Sequence, residues 1–255
     1  MPAIQRASTF SYVHGWRFAP TFPMANKNSI EFLLPMSNAL LLSKVKNAIS
    51  ADRMSTFEAA TRAAGDGDQA SLKLYIWNAQ VSAALLPPLH ICEVVVRNAL
   101  AEALEGTYGN RWPWERPLEL SLPDPAPGFS PRRDLIAARR RASTPGKVIP
   151  ELKFAFWQSL LTRRHDQRLW NVHLKQVLPY LDSAKTIAQW RQALYQDLEQ
   201  VRQLRNRIAH HEPIFTRNLA DDFQRIVSLI EFRCKVTAGW MVANQHAVAL
   251  IAAKP

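Results

Sequence analysis

Arg205, Asn206 and His210 lie together in the stretch LRNRIAHHEPIF, residues 204 to 215. Asn206 and His210 are four residues apart and therefore share one face of a helix. Arg205 flanks the same edge, about 100° around the helix. A guanidinium binds phosphate with a fixed charge and a fork of donors, imidazole exchanges a proton near neutral pH, and an amide holds either group in place. This combination indicates chemistry at a phosphodiester.

Such a set can break an RNA backbone without a metal ion. The ribose 2′-oxygen is an internal nucleophile beside the phosphorus, so an enzyme needs only to align it, stabilise the added negative charge and move two protons. DNA lacks the 2′-hydroxyl and cannot follow this route. The C-terminal end of a helix carries partial negative charge and favours a protonated histidine, which suits a general acid or a cationic clamp on phosphate.

The motif also has a purely structural interpretation. Arginine and histidine are common near helix ends, where they bond the last carbonyls, so the spacing alone is weak evidence for catalysis. A metal site is not indicated, because adjacent His210 and His211 point to different sides and H-H-E matches no familiar ligand spacing. His165 and His173 add little to it. We expect neither a metal nor another cofactor.

Composition points to an anionic partner. The 255 residues carry a formal charge of +11, which favours nucleic acid first and an anionic membrane surface second. A merely basic protein is the alternative, because charge alone says nothing about chemistry. We find no secretory leader and no run of about 18 apolar residues, so we expect no membrane span and a cytoplasmic location. Cys92 and Cys234 match no zinc or C-x-x-C spacing and are expected to be buried free thiols.

Apolar periodicity predicts an all-α protein without significant sheet. Residues 1–50 are expected to form a partly irregular N-terminal arm, with Met24 and Met36 as alternative starts, before a helical domain at 51–245 and a tail at 246–255. Helices are predicted for 70–86, 89–105, 148–162, 167–180, 183–210 and 218–242.

Local signals predict where several helices begin and end. Ser55 and Glu58 match a capping box, so a short helix should begin there and end near Gly65–Asp68. Pro87–Pro88 should break or kink the helix between 70–86 and 89–105. Asp182 or Ser183 should cap the 183–210 helix, and Pro213 should end it, because the residue before proline avoids the α region.

Residues 106–147 differ from the rest of the chain. They contain seven prolines from Pro113 to Pro145 and the basic cluster RRDLIAARRR at 132–141. These features predict a long surface insertion with one or two basic helical turns. Loops of this length are usually functional or disordered. Contact with RNA and a solvated run of charge are both consistent with the cluster, and the second is favoured.

The stretch RNRIAHHEPIF resembles the signature of Abi-like (abortive infection) proteins in the HEPN superfamily, in which an arginine is followed by four to six residues and a histidine, often with a polar residue after the arginine. Arg205 to His210 fits, with Asn206 in the polar place. LYIWNAQVSAALLPPLHICEVVVRNAL at 74–100, which holds Glu93 and Arg97-Asn98, is similar to the first core helices of that family. LKFAFWQSLL at 152–161 and RLWNVHL at 168–174 resemble its middle segment, so the similarity covers about 55–215.

The resemblance implies a HEPN-like helical bundle that forms a homodimer, in which two Arg/His motifs meet in one RNA-cleaving site. Arg205, Asn206 and His210 would be catalytic, and His211, Arg202 and Glu93 supporting. Many members are bacterial toxins or antiphage effectors, and some pair with an antitoxin encoded nearby that modifies a tyrosine just after the histidine. Glu212 lies close after His210 and no tyrosine follows, which argues against that form of regulation here.

Three hypotheses remain from the sequence. The leading one is a metal-independent endoribonuclease that acts as a toxin or abortive-infection effector. The second is a non-catalytic helical protein that binds RNA or a partner. The third is a structural helical protein in which the motif is only a capped helix end. Residues Glu93 and Arg97 are i,i+4 partners, and such a pair is more often a solvated salt bridge than a functional one.

Overall fold

The computed structural model describes residues 38–64 and 68–255, and this part of the chain contains helices but no strand. The predicted all-α class is therefore confirmed. Residues 1–37 of the predicted arm, the alternative starts and Gly65–Gly67 lie outside the described residues. The helices are α1 (Asn38–Ile49), α2 (Ala51–Ala63), α3 (Asp68–Tyr108), α4 (Arg116–Ser121), α5 (Pro131–Arg141), α6 (Pro145–Glu151), α7 (Phe154–Leu160), α8 (Asn171–Val177), α9 (Ile187–Ala209), α10 (Leu219–Glu231), α11 (Lys235–Ala243) and α12 (Ala247–Ala252).

The chain divides into two units, residues 1–48 and 49–255. In the first, α1 has the sequence NALLLSKVKNAI and a lysine, Lys46, in its last turn, where a cation favours the negative end of the helix dipole. The second unit holds the hydrophobic core and the motif at 204–215.

Helix α2 begins before the predicted capping box. Ser50 is the N-cap, and its Oγ accepts a hydrogen bond of 3.3 Å from the Arg53 amide. Ser55 lies inside the helix, where its Oγ donates to the Asp52 carbonyl at 2.7 Å. The prediction that Ser55 starts the helix was wrong because a serine that is already helical can bond back to a carbonyl of the preceding turn.

Helix α3 passes through Pro87 and Pro88 without a break, so the prediction of separate helices at 70–86 and 89–105 was wrong. A proline inside a helix costs about 3 kcal/mol through its missing donor and steric clash. Leu85, Leu89 and Cys92 are buried on both sides of the prolines, and full burial of a side chain such as leucine contributes about 1.5–3 kcal/mol. Packing of both halves against one core therefore offsets the cost of the prolines.

Helix α3 is the central element of residues 49–255. It packs against α2, α7, α8, α9, α10 and α12. Trp77 is buried on α3, and its Nε1 donates to the Leu250 carbonyl at 2.7 Å, so the C-terminal helix α12 is attached to this core. Near the C-terminal end of α3, Gly106 leaves room for the ring of His173, since an added Cβ would lie 2.8 Å from Cε1 of that ring.

Residues 106–147 form α4, α5 and a single 3₁₀ turn at Trp112–Trp114 instead of the predicted surface insertion. Trp112, Leu118 and Leu135 are fully or almost fully buried in the common core. Each of these helices places only a few residues in the core. Such short elements lack the repeated spacing that a window of 11–18 residues can detect.

The remaining predicted helices are present with different boundaries. Thr186, instead of Asp182 or Ser183, caps α9 in a capping box with Gln189. The predicted 218–242 helix is interrupted after Glu231, because Cys234 adopts an extended conformation and caps α11. The predicted 148–162 helix is divided into α6 and α7, and the 167–180 helix comprises a π turn at 166–170 followed by α8.

Among the residues that the structure describes, one helix, within residues 69–108, is long and apolar enough to cross a membrane by length and composition alone. This is weak evidence, because a core helix of a soluble protein meets the same criterion. The expectation of no membrane association stays a prediction.

Candidate functional site

The last turns of α9 present the motif to solvent. Leu204 and Ile208 are buried and orient the helix against the core. Arg205 lies about 60–100° around the helix from these two residues, on the side that reaches Glu93 of α3, and 46% of its side chain is exposed. Asn206 is half-buried and His210, the C-cap residue, is exposed. The amphipathic pattern of α9 therefore directs Asn206 and His210 away from the core and leaves Arg205 half-exposed at the edge of the buried face.

His211 ends the helix through its backbone. Its φ of 56° is left-handed, and its amide donates to the Ile208 carbonyl at 3.1 Å while the Glu212 amide donates to Arg207 at 2.8 Å. These two bonds define a Schellman motif, which satisfies carbonyls that the helix would otherwise leave free. Helix α9 thus ends at Ala209, before the predicted stop at Pro213 could act.

Three side chains hold the loop that follows the helix. Arg53 of α2 donates to the His211 carbonyl, and Arg207 donates to the Pro213 carbonyl at 3.2 Å. The side-chain oxygen Oδ1 of Asn78, on α3, accepts a hydrogen bond of 2.8 Å from the Ile214 amide. The end of the motif is therefore attached to two other helices, which gives His210 a defined backbone position.

Glu93 connects the motif to α3. Its carboxylate forms an ion pair with Arg97, and its Oε2 lies 3.9 Å from Arg205 Nε. The Glu93 and Arg97 side chains are each only 16% exposed. The pair is therefore largely buried, contrary to the solvated salt bridge that the sequence predicted, and the structure brings the predicted supporting residue Glu93 to Arg205.

Two guanidinium groups share this one carboxylate. Burial lowers the pKa of Arg97, Glu93 raises it, and the charge of Arg205 lowers it further. Arg97 Nε is buried and has no hydrogen-bond partner within the part of the chain that the structure describes. The cluster of Arg97, Glu93 and Arg205 therefore carries an excess positive charge beside the end of α9, which favours an anion.

Asn206 and His210 have side chains available for a ligand. Neither side chain forms a hydrogen bond with any residue in 38–64 or 68–255. Within the described part of the chain, the half-exposed guanidinium of Arg205 has only the contact of 3.9 Å to Glu93. Phosphate oxygens can therefore reach a guanidinium, an amide and an imidazole at this helix end without displacing an internal partner.

Arg202, a predicted supporting residue, is already occupied. It donates to both carboxylate oxygens of Glu199, at 2.9 and 2.7 Å. Arg202 is the largest cause of the lowered pKa of Glu199, which is about 2, with Gln203 and Gln158 also donating to it. The ion pair of Arg202 with Glu199 therefore stabilises helix α9, and the guanidinium of Arg202 has no free donor fork for a substrate.

A groove of about 280 Å³ lies beside the motif, between α3 and the loop after α9. Its walls are mostly apolar or small, and His211 and Glu212 form the edge nearest the motif. The lining residues are Tyr75, Asn78, Ala79, Ser82, Ala83, Leu86, Ile208, His211 and Glu212.

Sequence reasoning did not assign a site role to Arg53, Asn78 or Arg97. Arg97 had a usable signal, the i,i+4 spacing to Glu93, but spacing alone does not give burial. Arg53 and Asn78 contact the motif through bonds to backbone groups far away in sequence. Any polar side chain of suitable length can make such a bond, so no pattern in the sequence distinguishes them.

No group of three or more His, Cys, Asp or Glu side chains that could hold a metal ion occurs among residues 38–64 and 68–255. Both cysteines are free, as predicted, but only Cys92 is fully buried, and burial raises the pKa of its thiol to about 12. Cys234 is partly exposed instead of buried.

Searches of family models, curated proteins and solved structures find no match for this chain. The similarity to Abi-like proteins of the HEPN superfamily therefore stays a prediction from the motif and the segments around it.

Proposed function

We propose that this protein is a metal-independent endoribonuclease of the HEPN type. The observation that carries the proposal is the arrangement at the end of α9. Glu93 lies 3.9 Å from Arg205 and leaves an excess of positive charge there, while Asn206 and His210 have side chains without a hydrogen-bond partner among the described residues. Cleavage of a phosphodiester requires a group that binds phosphate, a group that transfers a proton and a group that positions them, all in one place.

In this mechanism the nucleophile belongs to the RNA. The 2′-oxygen attacks the adjacent phosphorus and loses its proton, the bond from phosphorus to the 5′-oxygen breaks, and the leaving oxygen takes up a proton. Arg205 stabilises the added charge on phosphate, His210 transfers a proton or holds phosphate as a cation, and Asn206 positions one or both. The products are a 2′,3′-cyclic phosphate, or the 3′-phosphate formed by its hydrolysis, and a 5′-hydroxyl.

The biological role follows from the resemblance and is part of the proposal. The enzyme acts in the bacterial cytoplasm as a toxin or an antiphage abortive-infection effector. It is a homodimer, and an antitoxin encoded nearby is its candidate regulator. The charge of +11 supports RNA as substrate, since neutralising phosphates and releasing their counterions strengthens binding.

The test uses an RNA with one 2′-deoxy position. The purified protein is first incubated with a mixed RNA pool to map a cut, and the matched substrate then lacks only the 2′-hydroxyl at that nucleotide. We expect no cleavage there and 5′-hydroxyl ends on the normal products. Cleavage of the 2′-deoxy substrate at that position, or 5′-phosphate ends, would show that water or a metal hydroxide attacks.

The second candidate is a non-catalytic protein that binds RNA, which the same net charge favours. It predicts salt-sensitive affinity without any product. The double variant Arg205→Ala/His210→Ala separates the two, because the enzyme loses cleavage but keeps its fold and most of its affinity. Arg62→Ala, at an arginine whose side chain is 79% exposed, is the matched control.

A further inference from the structure

An open cleft of about 750 Å³ lies between the 106–147 segment and the turns at 163–168. This volume is within the range of about 300–1,000 Å³ that small-molecule sites occupy. Arg132, Arg164 and Arg168 line it, together with Tyr108 and Leu120. The cleft thus combines three cations with an aromatic and an aliphatic side chain.

None of the three arginines forms an ion pair with a carboxylate of the described residues. Arg132 donates to the carbonyls of Glu119, Leu120 and Leu122 at 3.0, 3.1 and 3.0 Å, and Arg164 donates to the Ser121 carbonyl at 3.4 Å. Within the described ranges, no ion pair of 4.0 Å or less reaches Arg132, Arg164 or Arg168. No described carboxylate therefore forms a close ion pair with any of these three guanidinium groups.

The nearest acids are engaged elsewhere. Asp124 lines the cleft but pairs with Arg133 at 2.8 Å, and Asp166 pairs with Arg191 at 2.8 Å. Arg133 and Arg191 are not part of the lining. The cleft wall therefore keeps an excess of positive charge, which attracts an anion into a concave site.

His165 gives the cleft a buried polar group without a partner. The residue is 3% exposed and lines the cleft, and its Nε2 has no hydrogen-bond partner among the residues described. Burial lowers its pKa to about 4, and the charges of Arg164 and Arg168 add to this effect. The imidazole is therefore neutral at pH 7 and has an unused hydrogen-bonding nitrogen, an arrangement that costs free energy unless a ligand satisfies it.

We propose that this cleft binds a nucleoside phosphate. Arg164 and Arg168 bind the phosphate with charge-assisted hydrogen bonds, and Arg132 adds a charge that three carbonyls hold in place. Tyr108 and Leu120 provide an apolar surface for the base, and His165 supplies a hydrogen bond. A free nucleotide and one nucleotide unit of an RNA strand share this chemistry.

The cleft is distinct from the motif at the end of α9. Arg191, which bonds Asp166 next to the cleft, lies on α9 fourteen residues before Arg205. At 1.5 Å per residue this corresponds to about 21 Å along the helix. Binding in the cleft does not depend on the proposed cleavage, so a failure of either proposal leaves the other testable.

The experiment measures binding by titration calorimetry with the full chain carrying His210→Ala, so that RNA stays intact. The probes are inorganic phosphate, AMP, ATP and a single-stranded RNA oligonucleotide. The test variant is Arg164→Ala/Arg168→Ala, and the control is Arg163→Ala/Arg140→Ala, which also removes two positive charges but changes residues outside the lining. We expect affinity at least about tenfold weaker in the test variant only.

Selective loss of AMP or ATP binding identifies a free nucleotide as the ligand, and selective loss of RNA binding alone identifies a strand; both support the proposal. Equal affinity in the test and control variants, or no binding of any probe by the parent chain, overturns it. Arg168→Glu is the second variant in case the double variant does not fold, since Arg168 is exposed and unpaired among the described residues. His165→Gln should weaken the same probe.

Discussion

Arg205 differs from Arg202, one helical turn earlier on α9, in the use of its guanidinium. Arg202 donates two hydrogen bonds to Glu199, whereas among the described residues the half-exposed Arg205 has only a contact of 3.9 Å to Glu93. Exposed arginines on one helix can therefore have different roles that residue type does not reveal. The free donor fork at Arg205 is the feature that suits it to a phosphate.

We predict that Arg205→Lys lowers the single-turnover rate of RNA cleavage by about 10²–10³-fold, the scale of losing one preorganised donor. An ammonium keeps the charge but cannot reproduce the planar fork. Arg202→Lys is the control and should affect stability more than rate, because Glu199 is its partner. A wild-type rate for Arg205→Lys would remove this arginine from the proposed chemistry.

His165 should make stability depend on pH. Burial, with Arg164 and Arg168 in addition and Asp166 opposing, lowers its pKa from 6.5 to about 4. The unfolded chain binds this proton below pH about 6.5 and the folded chain only near pH 4, so the free energy of unfolding decreases as pH falls through this interval. The full contribution is roughly 3 kcal/mol.

The measurement is urea unfolding at pH 7 and pH 4.5 for the wild type and His165→Gln. The variant lacks this titration and should lose about 2–3 kcal/mol less stability between the two pH values. If both proteins showed the same pH dependence of stability, the pKa of His165 would not be lowered in the folded state, which would contradict this prediction.

At the scale of the element, the end of α9 separates two neighbouring histidines. His210 is the C-cap with a φ of −95°, whereas His211 is left-handed with a φ of 56°. We expect His211→Gly to stabilise the fold by about 0.5–1 kcal/mol, because glycine adopts this conformation without a Cβ penalty. His210→Ala should instead reduce cleavage by about 10²–10⁴-fold, the usual effect of losing a positioned acid or base.

Thermal unfolding and cleavage rates of the two variants test this assignment together. His211→Gly should affect cleavage far less than His210→Ala does, and His211→Val should destabilise because a β-branched residue disfavours a positive φ. If His211→Gly lost cleavage to the same degree as His210→Ala, the ring of His211 and not its backbone would matter.

Long amphipathic helices could be predicted from the sequence, whereas helix ends and short helices could not. The repeat of Trp190, Leu194 and Leu198 along α9 predicts its buried face, which the structure has. The continuation of α3 through Pro87 and Pro88 depends on core packing, which local propensity does not include. The helices α4 and α5 each contribute only a few buried residues, which are too few to produce a detectable apolar period in the sequence.

At the scale of the whole molecule, the motif itself could be predicted but its surroundings could not. Arg205, Asn206 and His210 share a helix, so their proximity follows from helical geometry. The contacts from Glu93 and Arg53 come from other helices, and their positions depend on how the whole chain packs. The same limit applies to the cleft at Arg164, whose walls come from distant parts of the chain.

Cleavage should persist in EDTA. The nucleophile is internal to RNA, and the groups at the motif are a guanidinium, an amide and an imidazole, which do not form a metal-ligand set of the usual composition. The measurement compares initial rates with and without EDTA, alongside a metal-dependent nuclease that must lose activity. Loss of cleavage in EDTA with recovery on addition of a divalent ion would contradict the mechanism.

A row of exposed apolar side chains runs along α3 beside the motif. Ile76, Leu86 and Val94 are among the exposed large hydrophobic residues, and helical periodicity places them within one face, over about 27 Å from Ile76 to Val94. Leu86 also lines the groove that His211 borders. Exposed apolar surface of this kind indicates an interaction site, and its continuity with the motif favours an interface at which two sites meet.

We therefore predict a two-fold symmetric homodimer. Its interface is formed by the exposed apolar face of α3, and the ends of the two α9 helices face each other there. One arginine and one histidine are a small catalytic set, and a symmetric interface doubles it. Leu86→Asp should give a folded monomer without cleavage, because a buried unpaired charge opposes association. Val172→Asp, at an exposed valine of α8, is the control and should remain dimeric and active. Light scattering combined with cleavage assays measures both properties, and an active monomer of the wild-type chain would exclude the composite site.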